Sequence, residues 1–167
     1  MSTRALYTFK GETAGDSWNV YKHCDGYPTG AANTLLTAVA FFAWPAPRYE
    51  ADEFAAAFCA AGKCGWLWGA TFNADDFKDH APDGRLNGYN GGNVRLMPQG
   101  DPLTVALTNC NDIEYRYEIN QGNDHLLRIR AYSVNAWDAP GKETLLVDCK
   151  LVEFAQWAKE DAAKDAT

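Results

Sequence analysis

The alternation of apolar and polar residues predicts most of the strands in this chain. It is clearest in the segment 113–119, where the apolar or aromatic residues Ile113, Tyr115, Tyr117 and Ile119 would share one face and the charged residues the other. A turn at 120–124 leads into 126–134, whose own alternation predicts the return strand of a hairpin. Shorter strands are predicted at 5–10, 18–24, 93–98 and 143–148. A mainly antiparallel sheet of about five to six strands is therefore expected.

Three segments have the apolar spacing of helices. The segment 31–44 is apolar on nearly every side, which is typical of a buried helix. The segment 50–61 begins with acidic residues, which favour a helix N-terminus, and Gly62 fits the position just after its last turn. A C-terminal helix is predicted at 151–163, with a polar end, 159–167, that would fray. The chain is thus predicted to be a single α+β domain, in which a buried helix follows the second strand and the other two helices pack on the sheet.

The segment 62–92 differs in kind, because Gly and aromatic residues recur in it without clear periodicity. One interpretation is a functional lid, in which Trp66 or Trp68 would stack on a bound ligand. The other is an insertion packed by its own aromatic side chains. The sequence leaves both open.

Charge and apolar runs restrict the environment and the partners. The chain has 167 residues, of which 22 are acidic and 15 basic, so its formal net charge is −7. A negative surface repels phosphate backbones, which argues against duplex nucleic acid as a partner. The N-terminus lacks the apolar core of a signal peptide, and the apolar run 38–44 is too short to span a membrane. A cytoplasmic protein with no membrane partner is expected.

No catalytic or metal motif is complete in the sequence. The five cysteines lack the paired spacing of a zinc site, so neither a metal nor a cofactor is expected. His23 and Cys24 are neighbours on a predicted strand, where their side chains would point to opposite faces. Non-enzymatic binding is therefore favoured, while a nucleotide hydrolase or phosphodiesterase that uses His23 or Asp25 as acid or base stays open.

The best candidate for a binding site is the run 22–30, where a strand ends and a helix begins. Free N–H groups at a helix start can hold an anion. Lys22 would add a positive charge, Asp25 an acceptor and Tyr27 an aromatic face, which together suit a nucleotide-like ligand. If the first two strands pair, Arg4 would lie near this turn and contact Asp25. The predicted ligand-binding residues are Arg4, Lys22, His23, Asp25, Tyr27, Trp66 and Trp68. The alternative is a structural corner, in which Asp25 caps the turn, Tyr27 packs and Pro28 sets the direction of the chain.

The hairpin 113–134 offers a second candidate surface. Acidic residues on its first strand and Arg128 and Arg130 on its second are what cross-strand ion pairing selects. Arg116, Arg128 and Arg130 are therefore interpreted as part of a solvated, salt-bridged sheet face, and a basic binding face is the alternative.

Three parts of the chain together resemble a known family. They are the opening Met1-Ser2-Thr3-Arg4, the run Asp25-Gly26-Tyr27-Pro28-Thr29-Gly30 and the strand 112–119, DIEYRYEI. They are similar to small uncharacterised phage and bacterial proteins that begin Met-Gly/Ser-Thr-Arg and contain Asp-Gly-Tyr-Pro-x-Gly.

The resemblance implies a phage or mobile-element gene and an intracellular product. Phage accessory proteins of this size often antagonise host defence, which implies either a nucleotide signal or a host defence protein as the partner. The sequence leaves that choice open, and it leaves homo-oligomerisation open as well.

Overall fold

A six-stranded sheet with helices on both faces forms the architecture. The computed structural model describes residues 3–43, 48–64, 94–109, 112–135 and 142–165. The strands are β1 (Ala5–Phe9), β2 (Trp18–Lys22), β3 (Val94–Met97), β4 (Tyr115–Gln121), β5 (Leu127–Asn135) and β6 (Lys142–Lys150). The helices are α1 (Pro28–Thr37), α2 (Ala51–Cys64), α3 (Pro102–Asn109) and α4 (Leu151–Asp165), and a π-helical segment, Ala38–Ala43, continues α1. The single-domain α+β fold predicted from the sequence is confirmed.

The strand order in the sheet is β3-β2-β1-β4-β5-β6. Strands β1 and β4 pair in parallel, with Tyr7 opposite Tyr117, and the other neighbouring pairs are antiparallel. The mainly antiparallel sheet is thus confirmed, with a parallel step at its centre. This step places the starts of β1 and β4 beside the end of β2, at the edge of the sheet where the run 22–30 begins.

The first face of the sheet, which bears Tyr7, Phe9, Val20, Tyr117 and Ile119, packs against α1, α2 and α4. Its centre is aromatic. The Tyr7 ring lies 4.3 Å from the Phe58 ring of α2 and 4.8 Å from Tyr117, measured between centroids. Tyr7, Tyr117 and Phe58 have no exposed surface. Full burial of an aromatic side chain contributes about 1.5 to 3 kcal/mol, so this cluster is a main source of stability.

The second face of the sheet, which bears Leu6, Tyr21 and Met97, packs against α3 through Val105 and Ala106. The second face becomes polar toward β6. Arg116 is buried there, stacks over the Tyr132 ring at 4.2 Å and donates hydrogen bonds to Glu118 and to both carboxylate oxygens of Glu143.

Ion pairs also join two arginines of β5 to β6. Arg128 and Arg130 both pair with Asp148 of β6. The predicted salt-bridged face is confirmed, but β6 supplies most of the carboxylates, and Arg116 is buried rather than solvated.

Three helix boundaries differ from the sequence prediction, and one helix is additional. Helix α1 begins at Pro28 rather than near Ala31, because proline needs no N–H partner in a first helical turn. Gly62 lies inside α2 rather than after it, where its lack of a side chain admits Val94 of β3. Helix α4 runs to Asp165, through residues that were expected to fray. Helix α3 was not predicted.

No helix in the described part of the chain is long and apolar enough to cross a membrane.

Candidate functional site

The turn between β2 and α1, residues Cys24 to Tyr27, is tied to the sheet by hydrogen bonds of its backbone. The Gly26 N–H donates to the Thr3 carbonyl at 2.9 Å, and the Gly26 carbonyl accepts from the Tyr117 hydroxyl at 2.8 Å. Gly26 is buried against Thr3 and Ala5. Asp25 has a positive φ of 55°, a conformation that Asp and Asn adopt more readily than most residues. The backbone of the turn is therefore rigidly specified by the sheet.

Lys22 stabilises this turn from the core side. Its side chain is buried, and Nζ donates to the carbonyl oxygens of Cys24 and, at 3.2 Å, of Asp25. Burial lowers the pKa of Lys22, while the negative charge of Asp25 opposes that shift. The Lys22 ammonium, which was predicted to face a ligand, thus donates to backbone carbonyls of the turn. Its charge lies beneath the turn rather than at the surface.

Asp25 and Tyr27 are the exposed side chains of the turn. The Tyr27 ring is 42% exposed, unusual for an aromatic residue at the start of a buried helix. Desolvation and the adjacent carboxylate of Asp25 raise the pKa of Tyr27. The two side chains therefore lie close together on the surface.

The N-terminus of α1 adjoins this pair. Its first backbone hydrogen bond runs from the Ala31 N–H to the Tyr27 carbonyl at 2.9 Å, and no side chain caps the helix. The N–H groups of Thr29 and Gly30 precede that bond. N–H groups in a first helical turn have no partner within the helix and lie at the positive end of its dipole.

A buried hydroxyl without a hydrogen-bond partner lies on the core side of the turn. Tyr7 is fully buried, and no hydrogen bond to its hydroxyl is present among the described residues. Its ring stacks beside Tyr117, whose hydroxyl reaches Gly26. Burial raises the pKa of Tyr7, and the charge of Asp25 adds to the shift. Tyr7 thus adds an unsatisfied polar atom to the surroundings of Asp25.

Arg4 lies at the same end of the sheet but not against Asp25. Its Nε is 3.0 Å from Oδ2 of Asp112, so the predicted Arg4–Asp25 contact is wrong. The physical reason is the parallel pairing of β1 with β4, which brings the segment before β4 beside Arg4: the Glu114 N–H donates to the Arg4 carbonyl at 2.9 Å. The backbone part of the prediction is correct, since Thr3 contacts Gly26.

His23 lies toward the second face of the sheet. A hydrogen bond of 3.2 Å joins its Nδ1 to the hydroxyl of Tyr21, whose ring packs in the cluster under α3. Asp25 acts instead on Lys22 and Tyr7, which belong to the first face. This separation does not favour His23 and Asp25 as an acid–base pair.

The two tryptophans named as stacking groups, Trp66 and Trp68, lie outside the described residues, as does nearly all of the segment 62–92. Within the described ranges, no group of three or more His, Cys, Asp or Glu side chains is placed to hold a metal ion.

Four residues near the turn or at the end of β2 were not identified from the sequence as parts of a site. Tyr7 and Tyr117 reach the turn from the first face, Asp112 replaces Asp25 as the partner of Arg4, and Arg95 stacks over Tyr21. Strand alternation alone placed Tyr117 on an inner face. The register that brings it beside Tyr7 depends on the parallel β1–β4 pair, which has no local sequence signal.

The structure defines an α+β domain whose candidate site is an exposed carboxylate and an exposed aromatic ring at the start of a helix. Comparison with protein-family models, with curated proteins and with solved structures finds no match to this chain.

Proposed function

We propose that this protein binds a small nucleotide-like ligand at the Asp25–Tyr27 turn. The observation that supports this best is the exposure of Tyr27 beside a carboxylate, on a turn that the sheet holds rigid. An exposed aromatic ring offers a stacking surface for a base, and a carboxylate accepts hydrogen bonds from ribose hydroxyls. Because the turn is already fixed, little ordering entropy is lost on binding.

The uncapped start of α1 would take the anionic part of the ligand. Thr29 and Gly30 supply N–H groups there, and Lys22 adds a positive charge beneath the turn, although its own hydrogen bonds go to the backbone. The roles of Lys22 and Asp25 thus differ: Lys22 shapes the site, and Asp25 contacts the ligand.

The phage setting implied by the sequence resemblance suggests a use for such binding. A small protein that captures a nucleotide without converting it would sequester a signal of host defence. Turnover is less well supported, because His23 bonds to Tyr21 toward the other face of the sheet.

Isothermal titration against a panel of mononucleotides and cyclic nucleotides tests the proposal. Binding should be weakened about tenfold by Tyr27→Leu, since base stacking on an aromatic ring contributes about 1 to 3 kcal/mol. Asp25→Asn should weaken it by a similar factor, and Asn also tolerates the positive φ at this position. The matched control is Leu36→Ala, which removes an exposed apolar side chain farther along the same helix.

Two results would overturn the proposal: no nucleotide binding at about millimolar concentration, or binding that neither turn variant changes while the folded state is intact. Conversion of a bound nucleotide, abolished in His23→Ala, would instead identify a hydrolase.

A further inference from the structure

An arginine without a carboxylate partner lies on the second face of the sheet, near the end of β2. Arg95 of β3 is directly opposite Tyr21 of β2, and its guanidinium carbon lies 4.7 Å from the centroid of the Tyr21 ring. Arg95 is exposed, and no ion pair to it is present in the described part of the chain. Its position contrasts with that of the second-face arginines near β6, which all pair with carboxylates.

The ring under Arg95 also contacts an imidazole. The Tyr21 hydroxyl is 3.2 Å from Nδ1 of His23, and the two ring centroids are 6.2 Å apart. Tyr21 is 5% exposed, so its ring is a fixed platform from which the guanidinium and the imidazole extend toward solvent. The Tyr21 hydroxyl thus holds the imidazole beside the ring over which Arg95 stacks.

A second guanidinium borders this group. The β1–β2 register pairs Ala5 with Lys22, so the next step of the antiparallel pair sets Arg4 opposite His23. Ala5 faces the first side of the sheet, and alternation turns Arg4 to the second. Arg4 forms an ion pair with Asp112, yet its buried Nε–H has no acceptor in hydrogen-bonding alignment, so the pairing is incomplete.

We infer that Arg95, Tyr21, His23 and Arg4 form a binding site for a phosphate group, free or as a phosphomonoester. Two guanidiniums and one imidazole face a single paired carboxylate, Asp112, in a protein whose net charge is −7. A local positive site on an acidic protein concentrates anions that the rest of the surface repels. The planar Arg95 fork can bond two phosphate oxygens, and the Arg4 guanidinium adds a second positive charge at the same end of the sheet.

This site is separate from the Asp25–Tyr27 turn in residues and in sheet face. Phosphate binding at this site can therefore be measured independently of the ligand binding proposed at the turn. A nucleotide that spans both would lose affinity through either set of residues, whereas inorganic phosphate would report on the second face alone.

An NMR titration of amide shifts with inorganic phosphate, at constant ionic strength and neutral pH, tests the inference. The amides of Tyr21, His23 and Arg95 should shift together with a millimolar dissociation constant. Arg95→Gln should weaken binding about tenfold, because it removes a guanidinium that has no carboxylate partner among the described residues. Arg48→Gln is the matched control: it removes one positive charge that is exposed and paired with Glu50, and it should change affinity by less than about twofold.

A second variant keeps the test decisive if Arg95→Gln perturbs folding. Tyr21→Phe removes the hydroxyl and keeps the ring under Arg95, and it should weaken phosphate binding about threefold or more. The inference is overturned if phosphate up to about 50 mM shifts none of these amides, or if Arg95→Gln and Arg48→Gln weaken binding equally, as general charge attraction would require.

Two further experiments are needed. One distinguishes free phosphate from a phosphomonoester, and the other distinguishes the phosphate site from the site proposed at the turn. Adenosine monophosphate that binds no more tightly than inorganic phosphate would assign the site to the free ion. In Asp25→Asn, phosphate binding should be unchanged; in Arg95→Gln, binding of adenosine, which has no phosphate, at the turn should be unchanged. Loss of phosphate binding in Asp25→Asn would contradict a separate site.

Discussion

At the scale of single residues, Gly26 is where the turn and the sheet come into closest contact. A Cβ at this position would lie 2.8 Å from the Thr3 carbonyl oxygen and 2.9 Å from the Ala5 nitrogen. Both are backbone atoms, at and just before the start of the central strand β1, and cannot easily move aside. The glycine is therefore required for space, and the turn that presents Asp25 and Tyr27 depends on it.

Gly26→Ala is expected to destabilise the fold by about 1 to 3 kcal/mol, because the added methyl group forces β1 and the turn apart. Urea unfolding followed by circular dichroism measures the loss. The control is Gly15→Ala, where a Cβ meets only Thr13 Oγ1 at an ordinary 3.6 Å. That variant should be neutral or slightly stabilising, by up to about 1 kcal/mol. Equal effects of the two substitutions would contradict a steric role for Gly26.

Tyr7 and Tyr117 are adjacent buried tyrosines with opposite hydrogen-bonding states. The Tyr117 hydroxyl donates to Gly26, whereas that of Tyr7 has no partner among the described residues. Tyr117→Phe should cost about 1 to 2 kcal/mol, because it leaves a buried carbonyl unsatisfied. Tyr7→Phe should be neutral or stabilising, since it removes a polar atom that gains nothing from burial. The urea midpoints of the two variants test both predictions. A larger loss of stability in Tyr7→Phe than in Tyr117→Phe would show that the Tyr7 hydroxyl has a hydrogen-bond partner in solution.

At the scale of elements, the contact between α2 and β3 depends on one position. A Cβ on Gly62 would lie 2.4 Å from Cγ2 of Val94, which is itself buried. A mid-helix glycine ordinarily lowers helix stability by about 0.5 to 1 kcal/mol relative to alanine. Its presence here is explained by the closeness of the strand, a reason that lies 32 residues away in sequence.

Gly62→Ala should therefore destabilise the protein by about 1 to 2 kcal/mol, although alanine is the better helix former. Removing the contacting methyl groups in Gly62→Ala/Val94→Ala should recover part of that loss, giving a favourable coupling energy of about 0.5 to 2 kcal/mol in a double-mutant cycle. Additive effects of the two substitutions would mean that Gly62 and Val94 are not in steric contact.

Gly62 also shows where the sequence was informative and where it was not. Local periodicity predicted all six strands to within a few residues, and it predicted three helices, because each pattern is complete within one segment. The position of Gly62 inside a helix, the Arg4–Asp112 pair and the β1–β4 pairing all depend on contacts between distant segments. For the site, the run 22–30 suggested Lys22, Asp25 and Tyr27 as ligand-binding residues, but it could not show that Lys22 bonds to the turn itself.

At the scale of the whole molecule, the aromatic core makes stability sensitive to alkaline pH. Burial raises the pKa of Tyr7, Tyr117 and Tyr49 in the folded protein. The unfolded chain releases these phenolic protons near pH 10, whereas the folded protein retains them. Above about pH 10 the unfolded state thus binds fewer protons, and stability falls as the pH rises. Lys22 acts in the opposite sense, because its lowered pKa makes stability rise with pH, but only below its unfolded value of about 10.4.

The free energy of unfolding should therefore decline above about pH 10, by up to about 1.4 kcal/mol per pH unit for each of the three tyrosines. Urea titrations from pH 9 to about pH 11.5 measure the slope, and ultraviolet absorbance reports tyrosinate formation. These tyrosines should ionise together with unfolding rather than before it, since Tyr7 and Tyr117 are fully buried and the partly buried Tyr49 donates its hydroxyl proton to the Ile119 carbonyl. Tyr7→Phe should reduce the slope, because it removes one of these buried titrating groups. Gradual ionisation at constant stability would contradict the burial of these hydroxyls, and with it the packing on which the Asp25–Tyr27 turn rests.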